Sequence, residues 1–571
     1  MKAPLAEIPE HLLEYITEQD PSLYTPIDHA VWRYVMRVSK AFFAEHGHPL
    51  YAHGLVTTGI SIERIPLITE MDEALKKIGW RAVAINGFIP PSVFLEFQSL
   101  RILAIACDIR KLENIGYTPS PDIIHEAAGH VPIVEDEGYR RYLEAYGEVA
   151  RNAIITKTDL ELYQAVFELS GIKEDPHSSP EQIAAAQKKF EDMARREVKP
   201  SEAALLTRMA WWTTEYGLIE VKGVPLIYGA GLLSSISESY HCLSDEVKKI
   251  PFSMKNSINT SYDITRPQPQ LFVAKDFREL AIALDEFANT MAFRQGGAYG
   301  LRLGVEAQNT VTATLDSGIQ LTGILKDPLF TGKGEEAGFI LSGTKQVSFA
   351  DQEIPGIPLA DLPDEVLIPL FEPAIASQPD EALRKSIEGS GLETRTGLKI
   401  TGRVKSVVNA GGEARVFLLE NVRFIDRNGR AILSENRRLY PLPVASRIGS
   451  VSGGAADRKN FVLRNRKKAL KKVKSHKTNL TPENAELNGL YRRVREFRES
   501  KGSDPRILDE VLEALDEKHP EDWLLRLELL ELYLARAPRN PHVSRLRQEL
   551  TTLRLRLPER AEMIDRGLKL L

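Results

Sequence analysis

Residues 121–132 read PDIIHEAAGHVP, and two histidines around an acid in so short a stretch pose a choice between metal ligation and a packed helix end. The zinc-hydrolase motif spaces its histidines four apart, so that both imidazoles leave one helix face. Here His125 and His130 are five apart. Five steps of an ideal α-helix leave them roughly 140° apart, too far round to share an ion unless the backbone departs from that helix. Gly129 permits a left-handed helix end and Pro132 cannot continue a helix, so His130 is expected on a terminating turn that swings back toward His125. Histidines packing a helix C-terminus, where they suit the macrodipole, are the other reading of the same residues.

The rest of the chain sets the context. Its 571 residues suggest about three domains at roughly 150 residues each. With 43% hydrophobic and 27% charged residues it can bury a real core, and a formal net charge of -5 gives no general pull toward nucleic acid or membrane. Two cysteines, Cys107 and Cys242, exclude a disulfide framework. The opening MKAPLAEIPEHLLEYITEQD lacks a basic start followed by an apolar run, and no stretch reaches the roughly 18 apolar residues of a membrane span. A soluble cytoplasmic protein is expected.

Up to about residue 300 the pattern is mainly helical. Residues 29–47, HAVWRYVMRVSKAFFAEHG, repeat apolar side chains at helical intervals, with Gly47 as the stop. Residues 61–80 read as a second helix, and VFLEFQSLRILAIACDI (93–109), apolar nearly all round, as a buried one. His46, His48 and His53 of HGHPLYAHG have no well-placed acid nearby and are expected to be surface loop histidines.

Beyond residue 300, alternating β-branched residues around Asp316-Ser317-Gly318, Gly411-Gly412 and Asn428-Gly429 signal hairpins, and residues 305–447 are expected to form a β-rich module. Within it, 361–391 turns helical. SRIGSVSGGAAD (446–457) reads as a linker, and 458–477 carries ten Lys and Arg with no acid. That basic run reads as a solvated face more readily than a nucleic-acid site. Leucine-rich segments broken by Pro then suggest stacked helical hairpins, so 448–571 is taken as linker, basic segment and hairpins.

Three separated blocks decide between the readings of the opening stretch. GYTPSPDIIHEAAGHVPI (116–133), WWTTEYGLIE (211–220) and YGAGLLSSISESYHCLS (228–244) closely resemble the pterin-dependent aromatic amino acid hydroxylases, in the right order. The resemblance covers roughly residues 55–300, so 1–304 is expected to be an iron- and pterin-dependent catalytic domain, a mainly α basket around one iron. It implies His125, His130 and Glu215 as ligands, with no catalytic residue beyond the metal centre. Two imidazoles and one carboxylate on one face of Fe(II) leave the opposite face open. Trp211, Trp212 and Tyr216 suggest that Glu215 is buried, where a cation would offset the cost of its charge.

The same resemblance implies an amino acid site made by Arg110, holding the substrate carboxylate, with Thr118, Pro119, Pro121, Trp211, Tyr216, Gly231 and Ser234. Gly231 is the position where a side chain would crowd the substrate. Ile89 and Phe94 are implied to line the pterin site, Phe94 by stacking, with Glu126 beside the pterin. Ala210 departs from the family, which often has an aromatic residue there. The implied cofactors are Fe(II) and a tetrahydropterin, tetrahydrobiopterin or a relative, with O2 as co-substrate.

The expected reaction is ring hydroxylation of phenylalanine, with tyrosine or tryptophan as alternative substrates. A zinc hydrolase using the same ligands, or a scaffold working through its basic helical C-terminal half, are readings from other classes. No N-terminal regulatory module, and no control by phenylalanine through one, is expected. The C-terminal helices are a candidate surface for a second copy or a protein partner. Removal of 448–571 is expected to leave substantial turnover.

Overall fold

The structure is a computed structural model describing residues 7–87, 89–116, 121–174, 178–196, 199–264, 266–412, 414–465, 482–500 and 506–571. The sequence-predicted first helix is present as Pro26–His46. Thr25 and Asp28 cap its start reciprocally and Pro26 occupies the first turn, where a missing N–H costs nothing. Val31, Trp32, Val35, Val38 and Phe43 form its buried face, and Gly47 closes it by donating to the Phe43 carbonyl at 3.0 Å.

Two of the expected helices are shorter. The 61–80 segment becomes helical only at Ile68–Leu75. The apolar 93–109 run splits: a helix covers Pro91–Ser99, Arg101 takes a positive φ of 60°, and Ile102–Ala106 becomes a strand. That strand pairs in parallel with Arg81–Ile85, Arg81 opposite Ile102, and Ile16–Thr17 adds an antiparallel edge. A run buried on both faces reads alike as helix or strand, which is why periodicity misassigned it. A second, four-stranded sheet runs Val224–Ile227, Leu218–Val221, Gln270–Ala274, Lys248–Pro251. The N-terminal half is therefore mixed α/β, with the sheets lying beside the helices.

The β-rich module is built from two sheets over one core. Thr310–Leu315, Ile319–Phe330, Glu336–Phe349, Gln352–Glu353, Val366–Pro369 and Ile448–Gly453 make the first. Leu392–Glu393, Lys399–Gly411, Ala414–Ile425, Ala431–Glu435 and Tyr440–Pro443 make the second. All three expected hairpin turns fall between consecutive strands. The 446–457 linker does not hold: Ile448–Gly453 is a strand antiparallel to Thr310–Leu315, with Ser452 opposite Thr312. Its glycines and serines suit close packing rather than freedom, since Val451 is buried in the module's core with Ala292 and Leu301 from the preceding helices.

The C-terminal helices Pro482–Glu499, Arg506–Lys518, Trp523–Arg536, His542–Arg556 and Ala561–Lys569 do stack as hairpins. They are not a separate module. Leu512, Trp523, Leu529, Tyr533 and Ile564 belong to the same hydrophobic core as Trp32, Tyr139 and Trp212. The Tyr34 and Trp523 rings meet edge to face at 5.2 Å, and the buried Arg33 makes two 2.6 Å bonds to Glu531. Truncation at 448 would expose this face and take Glu528 and Glu531 away from Arg33, leaving Glu63, which counts against the expected working truncation. Most of the basic 458–477 run lies outside the described residues. Among those described, no helix is long and apolar enough to cross a membrane.

Candidate metal centre

His125 and His130 are brought together by a change of helix type. Ile124–His130 is a π-helix, whose wider turn bonds each N–H five residues back, as Val131 N–H does to the Glu126 carbonyl. Residues five apart then lie nearly one above the other. The departure from the α-helix that the spacing demanded is real, but it is a widening along the whole turn rather than a left-handed end at Gly129. Gly129 serves differently: a Cβ there would sit 2.7 Å from the Ala230 carbonyl oxygen. Ala230 begins the short helix Ala230–Leu233 that ends at Ser234, so the absent side chain lets that segment press against the histidine helix.

Glu215 arrives by the same device, at the end of a second π-helix, Trp211–Glu215, closed by the Tyr216 N–H on the Trp211 carbonyl. The Nε2 atoms of His125 and His130 are 3.2 Å apart, and Glu215 offers one oxygen to each, at 3.4 and 3.3 Å. Among the described residues this is the one group of histidine, cysteine or acidic side chains close enough to share an ion. Three side chains whose ligand atoms converge in this way would hold one divalent ion between them. Two imidazoles and a carboxylate on one face fit ferrous iron with open positions opposite.

Protonation agrees with that fit at His125 and Glu215, whereas at His130 burial is outweighed by Glu215 and Glu126, which raise the imidazole above its ordinary value. Burial pulls the His125 imidazole down to about 4. Burial favours the neutral acid at Glu215, but His130 and His125 hold it down to about 2. Near neutrality the site therefore offers a free imidazole lone pair and an anionic oxygen. His125 Nδ1 lies 3.0 Å from Ser234 Oγ, which itself donates to the Ala230 carbonyl at 2.7 Å. With its own proton committed, the hydroxyl accepts from Nδ1–H, leaving Nε2 unprotonated toward the ion.

Arg110 is buried and already engaged. Its Nε and Nη2 donate to the two Asp122 oxygens at 2.9 and 2.8 Å, and Nη1 to the Ser234 carbonyl at 2.9 Å. Asp122 also accepts from the His125 backbone N–H at 3.0 Å, tying this pair to the histidine helix. Sequence reasoning missed Asp122; the signal was its place in the motif itself, twelve residues after Arg110. Trp211 stacks on Tyr216 at 4.6 Å and on Tyr262 at 4.3 Å, so the expected aromatic wall gains a third ring. A Cβ at Gly231 would lie 2.9 Å from the Tyr216 ring; what a side chain there crowds is that wall.

Glu126 is buried beside His130, and burial first, with Glu215 and Asp122 nearby, pushes its carboxyl up to about 8. Ile89 and Phe94 pack in a different, smaller core with Val83, Ile85 and Phe97. Pro121 is exposed at the entry to the histidine segment; Thr118 and Pro119 lie outside the described residues. The expected surface histidines divide. His53 is exposed, whereas His48 is buried against the Phe277 ring, with Asp136 as its nearest acid at 4.0 Å.

Residues 11–153 and 196–300 match the family described as biopterin-dependent aromatic amino acid hydroxylase. The intervening stretch holds the helices Lys157–Glu174 and Pro180–Ala194. The phenylalanine-4-hydroxylase of Ralstonia nicotianae is 29% identical over 269 residues, 47% of this chain and 72% of that protein. That of Chromobacterium violaceum is 26% identical over 269 residues, 47% and 76%. A crystal structure of the Chromobacterium violaceum phenylalanine hydroxylase with bound oxidized Fe(III) aligns over 48% of this chain and 84% of that one, at 26% identity and a TM-score of 0.38. Over residues 11–153 and 196–300, less than half of its length, the chain is similar to the biopterin-dependent aromatic amino acid hydroxylases.

Proposed function

We propose that the chain hydroxylates the ring of an aromatic amino acid, converting phenylalanine to tyrosine with Fe(II), a tetrahydropterin and O2. The observation that carries this reading is the convergence of the His125 and His130 Nε2 atoms, 3.2 Å apart, on the two Glu215 oxygens at 3.4 and 3.3 Å. Bound there, iron together with a tetrahydropterin supplies the reducing power that activates O2 for insertion of one oxygen atom into the ring.

The chain's own share is placement. Ser234 fixes the His125 tautomer, and Asp122 holds both the histidine helix and Arg110. Asp122 takes Nε and Nη2 of Arg110 and the Ser234 carbonyl takes Nη1, so a substrate carboxylate would meet the remaining N–H of the terminal nitrogens, where a charge-assisted bond anchors the substrate far from the reacting ring. The stacked rings of Trp211, Tyr216 and Tyr262 are the proposed aromatic wall beside that ring. Ile89 and Phe94 are the proposed apolar side of the pterin site, and Glu126, largely protonated near neutrality, a donor at its edge. Thr118, Pro119 and Pro121 keep their proposed place at the amino acid site through the resemblance alone. A cytoplasmic setting is supported by two cysteines that are both free thiols.

The test is oxygen uptake and tyrosine formation by the iron-loaded protein, with phenylalanine and tetrahydropterin each omitted in turn. Tyrosine should form only when both are present. Turnover without oxygen or pterin would point to hydrolytic chemistry instead.

A further inference from the structure

The family match ends at residue 300, yet the last helix of the chain, Ala561–Lys569, packs on the two segments that hold Arg110 and His125. One is the Leu112–Asn114 turn running to Gly116. Arg560, at the helix start, donates to the Glu113 carbonyl at 2.7 Å, and buried Met563 lies over Gly116, 3.5 Å from where a Cβ would stand. The other is the helix Ile236–His241, which follows directly on Ser234 and Ser235. Buried Arg566 donates to the Ile236 carbonyl and sets its guanidinium 3.5 Å from the centre of the Tyr240 ring.

On their inner sides the same two segments meet each other and the site. Ser235 Oγ donates to the Gly116 carbonyl at 3.2 Å. The Ser234 carbonyl accepts from Arg110, and its hydroxyl orients His125. A second anchor fixes the helix to the opening one, through Tyr34 OH on the Met563 carbonyl at 2.5 Å. The closing helix thus spans the outside of both segments, while Ser234, just before the second of them, bonds Arg110 and His125 on the inside.

We infer that Ala561–Lys569 is a positioning element of the amino acid site, in which Arg560 and Arg566 set the separation of 113–116 from 234–240 and thereby the placement of Arg110. This rests on the function proposed above. A cation held over an aromatic face and bonded to a carbonyl fixes direction as well as distance, which a lysine reproduces only in part. Misplacing an anchoring group by a fraction of an ångström weakens substrate placement.

The experiment uses the full chain loaded with iron and compares wild type with Arg566→Met, Arg566→Lys and Arg560→Ala. Arg566→Met should raise the KM for phenylalanine about 10-fold, Arg566→Lys less, and Arg560→Ala about threefold. The KM for tetrahydropterin should stay unchanged. Backbone hydrogen exchange should quicken in 108–116 and 230–241 and stay level in the Gln270–Ala274 strand. An unchanged KM for phenylalanine in Arg560→Ala, a surface change the fold tolerates, would overturn the inference even if Arg566→Met failed to fold. So would exchange quickening across the whole domain. Wild-type protein that makes no tyrosine, with exchange still confined to the two segments, would defeat the proposed function and leave the helix its positioning role.

Discussion

Ser234 and His125 are joined by a 3.0 Å contact between a hydroxyl that has given its proton to Ala230 and the imidazole Nδ1. A side chain far along the chain thereby decides which face of His125 is free to bind a metal. Losing such a partner weakens metal binding about 10–100-fold. Ser234→Ala should show that loss in an iron-binding titration while leaving the thermal midpoint close to wild type. Unchanged iron affinity would remove Ser234 from the centre.

Gly129→Ala should damage the centre from the other side. The new Cβ would meet the Ala230 backbone oxygen at 2.7 Å, a contact that no rotamer change relieves. Overpacking of this kind costs about 1–3 kcal/mol, and here the strain falls on the turn between the two histidines. Lower stability in urea with reduced iron content is the expected pair of outcomes.

Arg33 and Glu531 sit 498 positions apart and share two 2.6 Å bonds. Glu63 and Glu528 lie near the same guanidinium, and the cost of its burial is outweighed by Glu531 together with these two acids, which hold its pKa above the ordinary value. Removing one partner from a buried pair costs about 3 kcal/mol. Glu531→Ala should lower the urea midpoint by a corresponding amount, and removal of 448–571 should yield protein that fails to fold rather than an active core.

His29 faces the charged cavity between the opening helix and Pro482–Glu499, with Arg495 and Glu499 in its lining. Burial first, and then Arg495 and Arg64 against a smaller pull from Glu499, hold its imidazole down to about 4. The unfolded chain binds the proton near pH 6.5, so between about 6.5 and 4 it takes up more protons than the folded one and stability falls as pH falls. His29→Gln should flatten the drop in thermal midpoint between pH 7 and pH 5. An identical pH profile would exclude His29 as its source.

The metal centre was legible because its residues sit in three local motifs whose order survives in any fold. The mechanism that unites them was half legible: the five-residue spacing showed that the α-helix had to be left, but π-helical widening has no residue signature comparable to a glycine end. The hairpins of the β-rich module were plain, since Gly and Asn at turns act locally. Ile102–Ala106 and Ile448–Gly453 were misread because burial on both faces and small-residue packing each imitate something else, a helix in one case and a linker in the other. The merging of the C-terminal helices with the catalytic core was invisible. It depends on pairs such as Arg33 with Glu531 and Tyr34 with Trp523, and nothing in a single sequence couples residues so far apart.

The most direct measurement is iron content together with oxygen- and tetrahydropterin-dependent formation of tyrosine from phenylalanine, run beside His125→Ala and Glu215→Ala. Stoichiometric iron and turnover in the parent chain, with both lost in each variant, is the expected result. Full activity in protein free of iron, or in either variant, would contradict the shared metal centre.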